Sequence, residues 1–288
     1  MPPILQPVPR ACRRRTRLFG ALLVCVIVVA CSRVQTTSPG VIGVDREQVM
    51  SSLVSSEELE RGAETAYSQV LSAERAKGNL NADPAMTARV RRIAQRIIPE
   101  VDAFRPDALG WNWEVNVIES EQLNAWAMPG GKIAFYSGII DRLGLTEDEI
   151  AAIMGHEIAH ALREHSRERA SEQALTNVVV NGAALAGSIL TGIDLRGASQ
   201  ATQLVYNTTF GLKHSRRHET EADRIGVELA ARAGYDPAAA IGVWQKMAKA
   251  TGGGGGPEFL STHPSNESRI EDLRVYSEKV MPLFRDAS

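Results

Sequence analysis

Apolar residues recur along this chain in two rhythms, one of helices and one of strands. Met86, Val90, Ile93, Ile97 and Ile98 form a stripe at helical spacing, and Asp83-Pro84 supplies an N-cap followed by proline at the first helical position. The pattern predicts a helix from there to about Val101. Upstream, Ser55 or Ser56 precedes the acidic Glu57-Glu58-Leu59-Glu60, which predicts a helix to about Lys77. Strand alternation occupies Trp113 to Ile118. Asn124 to Met128 and Lys132 to Tyr136 then flank Pro129-Gly130-Gly131, a hairpin signal. Thr146-Glu147-Asp148-Glu149 is a capping box, and it predicts one helix running to Ser166 with Ile150, Ile153, Met154 and Ile158 inward. Later helices are predicted over Arg216 to Ala233, Asp236-Pro237 to Ala248, and Asn266 to Met281. The run Gly252 to Gly256 with Pro257 separates the last two. There is no internal repeat. The fold class is α+β, mostly helical, with a small β-sheet.

The first 30 residues differ in kind. Arg10, Arg13, Arg14, Arg15 and Arg17 precede the apolar stretch Leu18 to Ala30, as in a secretory signal. Val28-Val29-Ala30-Cys31 resembles a bacterial lipobox, with cleavage before Cys31 and lipid on Cys31. Thirteen apolar residues are few for a span that needs about 20. Three parts are expected: a lipoprotein signal peptide over 1–30, a lipidated polar tether over 31–54, and a folded domain over 55–288. Ser32 favours the outer membrane over the inner one in such proteins, so a periplasmic, lipid-anchored location is expected.

Composition narrows the functions. The hydrophobic fraction is 44%, ordinary for a globular protein. The three cysteines, Cys12, Cys25 and Cys31, all lie at or before the cleavage point, so the mature chain has no internal disulfide and no cysteine nucleophile. Removing the five arginines of the signal takes the formal net charge from −2 to −7. An acidic mature protein offers nothing to nucleic acid.

The chemistry is concentrated in His156-Glu157-Ile158-Ala159-His160. A separation of four residues turns a helix by about 400°, so both imidazoles leave one face. Glu157 stands about 100° around from His156, beside an ion rather than on it. This is H-E-x-x-H: two zinc ligands and a carboxylate placed as general base. A catalytic zinc site needs a third protein ligand. Position 163 is Arg and 166 is Ser, so the extended pattern ending in a third histidine fails. On a continuous helix His165 is turned about 180° from His156, which makes it a surface residue.

Glu219-Thr220-Glu221-Ala222-Asp223 offers Glu219 and Asp223 on one helical face. Glu219 as ligand and Asp223 as the partner of a ligating imidazole is one reading. The other is a solvated helix whose acids balance Arg216, Arg217 and Arg224. Spacing alone leaves both open. His214 and His218 lie near Glu219, and His218, offset from it by about 100°, reads as structural. The uncharged stretch Ala174 to Ile193 has the length of a membrane span. A span there would part His160 from Glu219, so it reads as a buried or lid-like helix.

Taken together, His156 to His160, Glu219-x-x-Ala222-Asp223, Asn124-Ala125-Trp126-Ala127 before Pro129-Gly130-Gly131, and Thr262-His263-Pro264 with Arg269 resemble the HtpX-like and CAAX-prenyl-protease-like zinc metallopeptidases, especially their soluble periplasmic members of the BepA and LoiP type. The resemblance covers roughly Leu59 to Leu283. It implies a gluzincin metalloprotease domain with a small sheet beside the H-E-x-x-H helix. It implies one Zn2+ per chain on His156, His160 and Glu219, with Glu157 as base. It further implies that His263 approaches the ion as a regulatory or fourth ligand. The absence of cysteine pairs departs from relatives that carry a disulfide.

On this reading the enzyme is a zinc endopeptidase acting on unfolded or misassembled envelope proteins. Its partners are polypeptide substrates, the membrane through Cys31, and envelope assembly machinery. Asn124, Ala125 and Trp126 form the edge strand to which a peptide adds by main-chain hydrogen bonds. Arg269 or His263 supports the oxyanion. A lipid-anchored chaperone or assembly factor that seldom cuts is the rival reading.

Overall fold

Caps chosen by the sequence set most element boundaries. The structure, a computed structural model, describes residues 31–52, 54–181, 198–211, 214–250, 258–263 and 267–287. The signal at 1–30, residues 182–193 of the uncharged stretch, the glycine run and Pro264 lie outside the described residues.

The segment expected as a tether is folded onto the domain. Strands β1 (Cys31–Val34) and β2 (Gln48–Ser51) pair antiparallel. Ile42, Val44, Met50 and Val54 are buried, so four apolar side chains tie down a stretch that reads as polar. We call residues 31–54 the strap.

Helix α1 (Ser56–Lys77) is capped by Ser55, whose hydroxyl accepts from Glu58 N, and ends at Gly78 in the left-handed region. In α2 (Pro84–Ile97) Asp83 accepts from the amides of Ala85 and Met86. The chain then tightens into a 3-10 turn, Ile98–Ala103. Pro99 has no amide to continue the α ladder, so the helix stops short of the expected Val101.

The sheet holds β3 (Glu114–Ile118), β4 (Ala125–Met128) and β5 (Lys132–Tyr136) in the order β3-β5-β4. The β4–β5 hairpin turns through Gly130 and Gly131 at φ +75° and +81°, while β3 runs parallel to β5. Among the described residues β4 is an edge. Alternation sorts its faces: Trp126 and Met128 pack with Leu59 and Tyr67 of α1, and Ala125 packs in the main core.

Helix α3 (Ser137–Arg142) leads to α4 (Glu147–Leu162), which carries the predicted capping box at Thr146 and Glu149. Every residue of α4 from Glu149 to Leu162 is buried, since β4, α2 and later helices surround it. It does not reach Ser166. Arg163 and Glu164 break the helix, Glu164 at φ +48°, and α5 (His165–Asn181) starts in a new direction.

Next come α6 (Ala198–Tyr206), α7 (Arg216–Arg232), α8 (Ala239–Ala250), α9 (Glu258–Thr262) and α10 (Glu267–Ala287). Ser215 caps α7 by accepting from His218 N. Where α4 and α7 cross, a Cβ on Gly155 would stand 2.5 Å from Gly226 O, and one on Gly226 2.7 Å from His156 N. The two backbones therefore touch one residue from His156. No described helix is long and apolar enough to cross a membrane.

Candidate metal centre

All six histidines of the chain meet in one buried cluster between α4, α5, α7 and the end of α9. Four donors face a common point: His156, His160, Glu219 and His263. His156 Nε2 lies 3.0 Å from His160 Nε2 and 3.6 Å from Glu219 Oε2. His160 Nε2 lies 3.4 Å from Glu219 Oε1. His263 Nδ1 is 3.3 Å from His156 Nε2 and 3.1 Å from Glu219 Oε1. Tetrahedral zinc with bonds of about 2.0–2.1 Å spaces its ligands by about 3.3 Å. Donor type, burial and spacing therefore fit zinc. Helix α4 supplies the two imidazoles, and the glycine crossing brings α7 close enough for Glu219 to reach them.

His263, just after α9, is the fourth of these donors. The amide of Phe259 at the other end of α9 donates to Leu123 O, next to the start of β4. The His214 ring stacks at 4.8 Å on that of His263.

Glu157 lies beside this point. Its Oε2 accepts from Ala127 N of β4 at 3.1 Å. Its Oε1 is buried, makes no hydrogen bond, and sits 3.6 Å from His263 Nε2. Burial raises the Glu157 carboxyl above the ordinary carboxylate range. Glu219 is held well below that range: burial opposes this, but His263, Arg269 and His156 outweigh it.

Asp223 Oδ1 lies 3.0 Å from His156 Nδ1, as expected of the group that orients a ligating imidazole. Arg269 differs from expectation. It grips Asp223 through Nε at 2.7 Å and Nη2 at 2.8 Å, and Glu219 through Nη1 at 2.8 Å. Its Cζ also lies 3.9 Å from the centroid of the Trp244 ring. Arg269 thus steadies the donor Glu219 and, behind His156, Asp223.

His165 is the larger correction. It is fully buried, its Nδ1 only 2.8 Å from His160 Nδ1. The expected rotation assumed one continuous helix, and the break at Arg163-Glu164 swings the ring back. His218 is structural as expected, with Nε2 3.1 Å from Glu168 Oε2. Asn124, Ala125 and Trp126 lead into and form the edge strand, and all three are buried here.

Comparison with known proteins gives the family. The profile described as peptidase family M48 matches residues 84–277. The mitochondrial metalloendopeptidase OMA1 of Schizosaccharomyces pombe is 35% identical over 75% of this chain, and that of Saccharomyces cerevisiae 30% over 70%. The beta-barrel assembly-enhancing protease of Escherichia coli K12 is 28% identical over 72% of the chain. The chain spans 60%, 59% and 42% of the lengths of these three relatives. With a profile covering well over half of its residues, the chain belongs to peptidase family M48.

Proposed function

We propose that this chain is a zinc-dependent endopeptidase of the bacterial cell envelope, cutting unfolded or misassembled proteins. The observation that carries this reading is the convergence of His156, His160 and Glu219 with the unbonded Oε1 of Glu157 beside them. Zinc in such a site supplies Lewis acidity, making a water acidic near pH 7 and polarising a carbonyl. Glu157 takes the proton of the attacking water and passes it to the leaving amine. Its raised proton affinity suits a base that must also return the proton. Asp223 and Arg269 keep His156 and Glu219 aimed. A substrate strand adds along β4, where Ala127 N already points at Glu157.

Substrate class and setting rest on other support. Main-chain pairing at an edge strand tolerates many sequences, as a quality-control protease requires. The Escherichia coli relative is named for β-barrel assembly, which suits a partner in envelope assembly machinery. The arginine-rich start and the lipobox-like run ending at Cys31 support a periplasmic protein held by lipid, at the outer membrane.

The test is a casein cleavage time course with and without a chelator. The wild type cuts, and the chelator stops it. Glu157→Gln keeps its zinc and loses about 10²- to 10⁴-fold in rate. Retained turnover in Glu157→Gln removes the base assignment.

His263 in the fourth corner favours a second reading, an assembly factor or chaperone that rarely cuts. Client binding that survives chelation, with no cleavage at any time, selects it.

A further inference from the structure

The two zinc-binding imidazoles are oriented by different devices. His156 meets a carboxylate directly, whereas the back of His160 meets another ring. His165 Nδ1 lies 2.8 Å from His160 Nδ1, and His165 Nε2 lies 3.3 Å from Glu221 Oε2. Glu221 is gripped by Arg163, with Nε at 3.0 Å and Nη2 at 2.9 Å, and by Arg46 of the strap, with Nη2 at 3.1 Å. We infer that His165 and Glu221 form a positioning relay that fixes the tautomer and angle of His160, so that its Nε2 lone pair is presented to the ion. This rests on the zinc site proposed above.

The direction of the relay follows from donors and acceptors. A carboxylate between two guanidinium groups can only accept, so the facing His165 Nε2 carries the proton. A neutral ring then has a bare Nδ1, which accepts from His160 Nδ1–H. The remaining His160 nitrogen, Nε2, is left without a proton and faces His156 and Glu219. Each step uses protein groups alone, so the lone pair is in place before an ion arrives. The His165 ring is fully buried and stacks on that of His218 at 4.4 Å, surroundings that disfavour a charged imidazole.

The backbone is bent to build this. Glu164 adopts a left-handed conformation, uncommon for a residue with a side chain, and that turn carries His165 onto His160. A continued helix would place His165 about 140° around from His160. A second ion on His165, Glu168 and His218 is the competing use of these donors. Arg46 already answers Glu168 through Nη1 at 2.6 Å and Nη2 at 2.8 Å, so a guanidinium supplies the positive charge there.

The test measures zinc stoichiometry and affinity by chelator competition, with the absorption spectrum of the cobalt-substituted full chain. His165→Phe keeps a ring and removes the acceptor; His165→Asn puts an oxygen near the Nδ1 position. Wild type binds one zinc. The Phe variant binds about 10- to 100-fold more weakly with an altered cobalt spectrum, and the Asn variant recovers most of the loss. Circular dichroism checks each fold, and His165→Leu replaces a Phe variant that fails to fold. Equal affinity in wild type and His165→Phe overturns the relay, as does an Asn variant no better than Phe, or a second zinc lost with His165. Wild type that binds no zinc rejects the metal site itself.

Discussion

We propose that His263 decides whether the other residues of the site can act. Its Nδ1 lies 3.3 Å from His156 Nε2 and 3.1 Å from Glu219 Oε1, and on this proposal it takes the corner that a catalytic centre leaves for water. Removing a ring that closes the site about nine-tenths of the time raises turnover about tenfold. His263→Ala therefore cuts casein faster than wild type at equal zinc content; an inactive, zinc-loaded variant assigns the ring to catalysis instead. Legibility at this scale followed spacing. His156, Glu157 and His160 came from one helical turn, and the place of Asp223 from an i, i+4 relation. Glu219 needed the wider resemblance, because acids beside arginines on a helix also describe a solvated face. What Arg269 grips is a tertiary fact, and no local pattern encoded it.

Two helical details set where those side chains stand. Gly155 and Gly226 let α4 and α7 touch, which carries Glu219 to the imidazoles. Gly226→Ala must push a methyl against His156 N. Such overpacking costs about 1–3 kcal/mol, and it draws Glu219 away from His156 and His160. Urea denaturation and zinc titration read both effects; a variant matching wild type in both contradicts the close crossing. Isolated glycines inside helical patterns were visible in the sequence. That they were partners was not, since they lie in helices far apart along the chain. The break after Leu162 was also hidden: Arg163-Glu164 contains neither glycine nor proline, yet Glu164 takes a positive φ, its carboxylate held by Arg105 and Arg167. Capped boundaries, by contrast, were legible, because a cap is a local hydrogen bond. The hairpin was legible too, but the parallel pairing of β3 with β5 depends on residues beyond either strand.

Across the whole molecule, the strap joins the metal centre to the N-terminal end of the domain. Arg46 reaches both Glu168 and Glu221, and Gln48 donates to Arg163 O. Glu221 titrates at about 2 in the folded chain against about 4.3 when unfolded. A depressed carboxyl stabilises the fold above its unfolded pKa and loses that contribution as pH falls through its folded pKa. The contribution, on the order of 3 kcal/mol, is therefore full at pH 7 and decays between about pH 4.3 and 2. Arg46→Met is destabilised by about 3 kcal/mol at neutral pH, and its gap from wild type in urea midpoint narrows on acidification. A gap unchanged from pH 7 to pH 2 contradicts the ion pairing. The strap's polar composition concealed this role, because Ile42, Val44 and Met50 share their alternate buried positions with the polar Gln48.

The convergence of three side chains from two helices on a single ion is the claim on which the rest stands. Elemental analysis of purified wild type and Glu219→Ala tests it most directly. One zinc per wild-type chain and a sharp loss in Glu219→Ala are predicted; a zinc-free wild type, or a variant with undiminished zinc, contradicts the account.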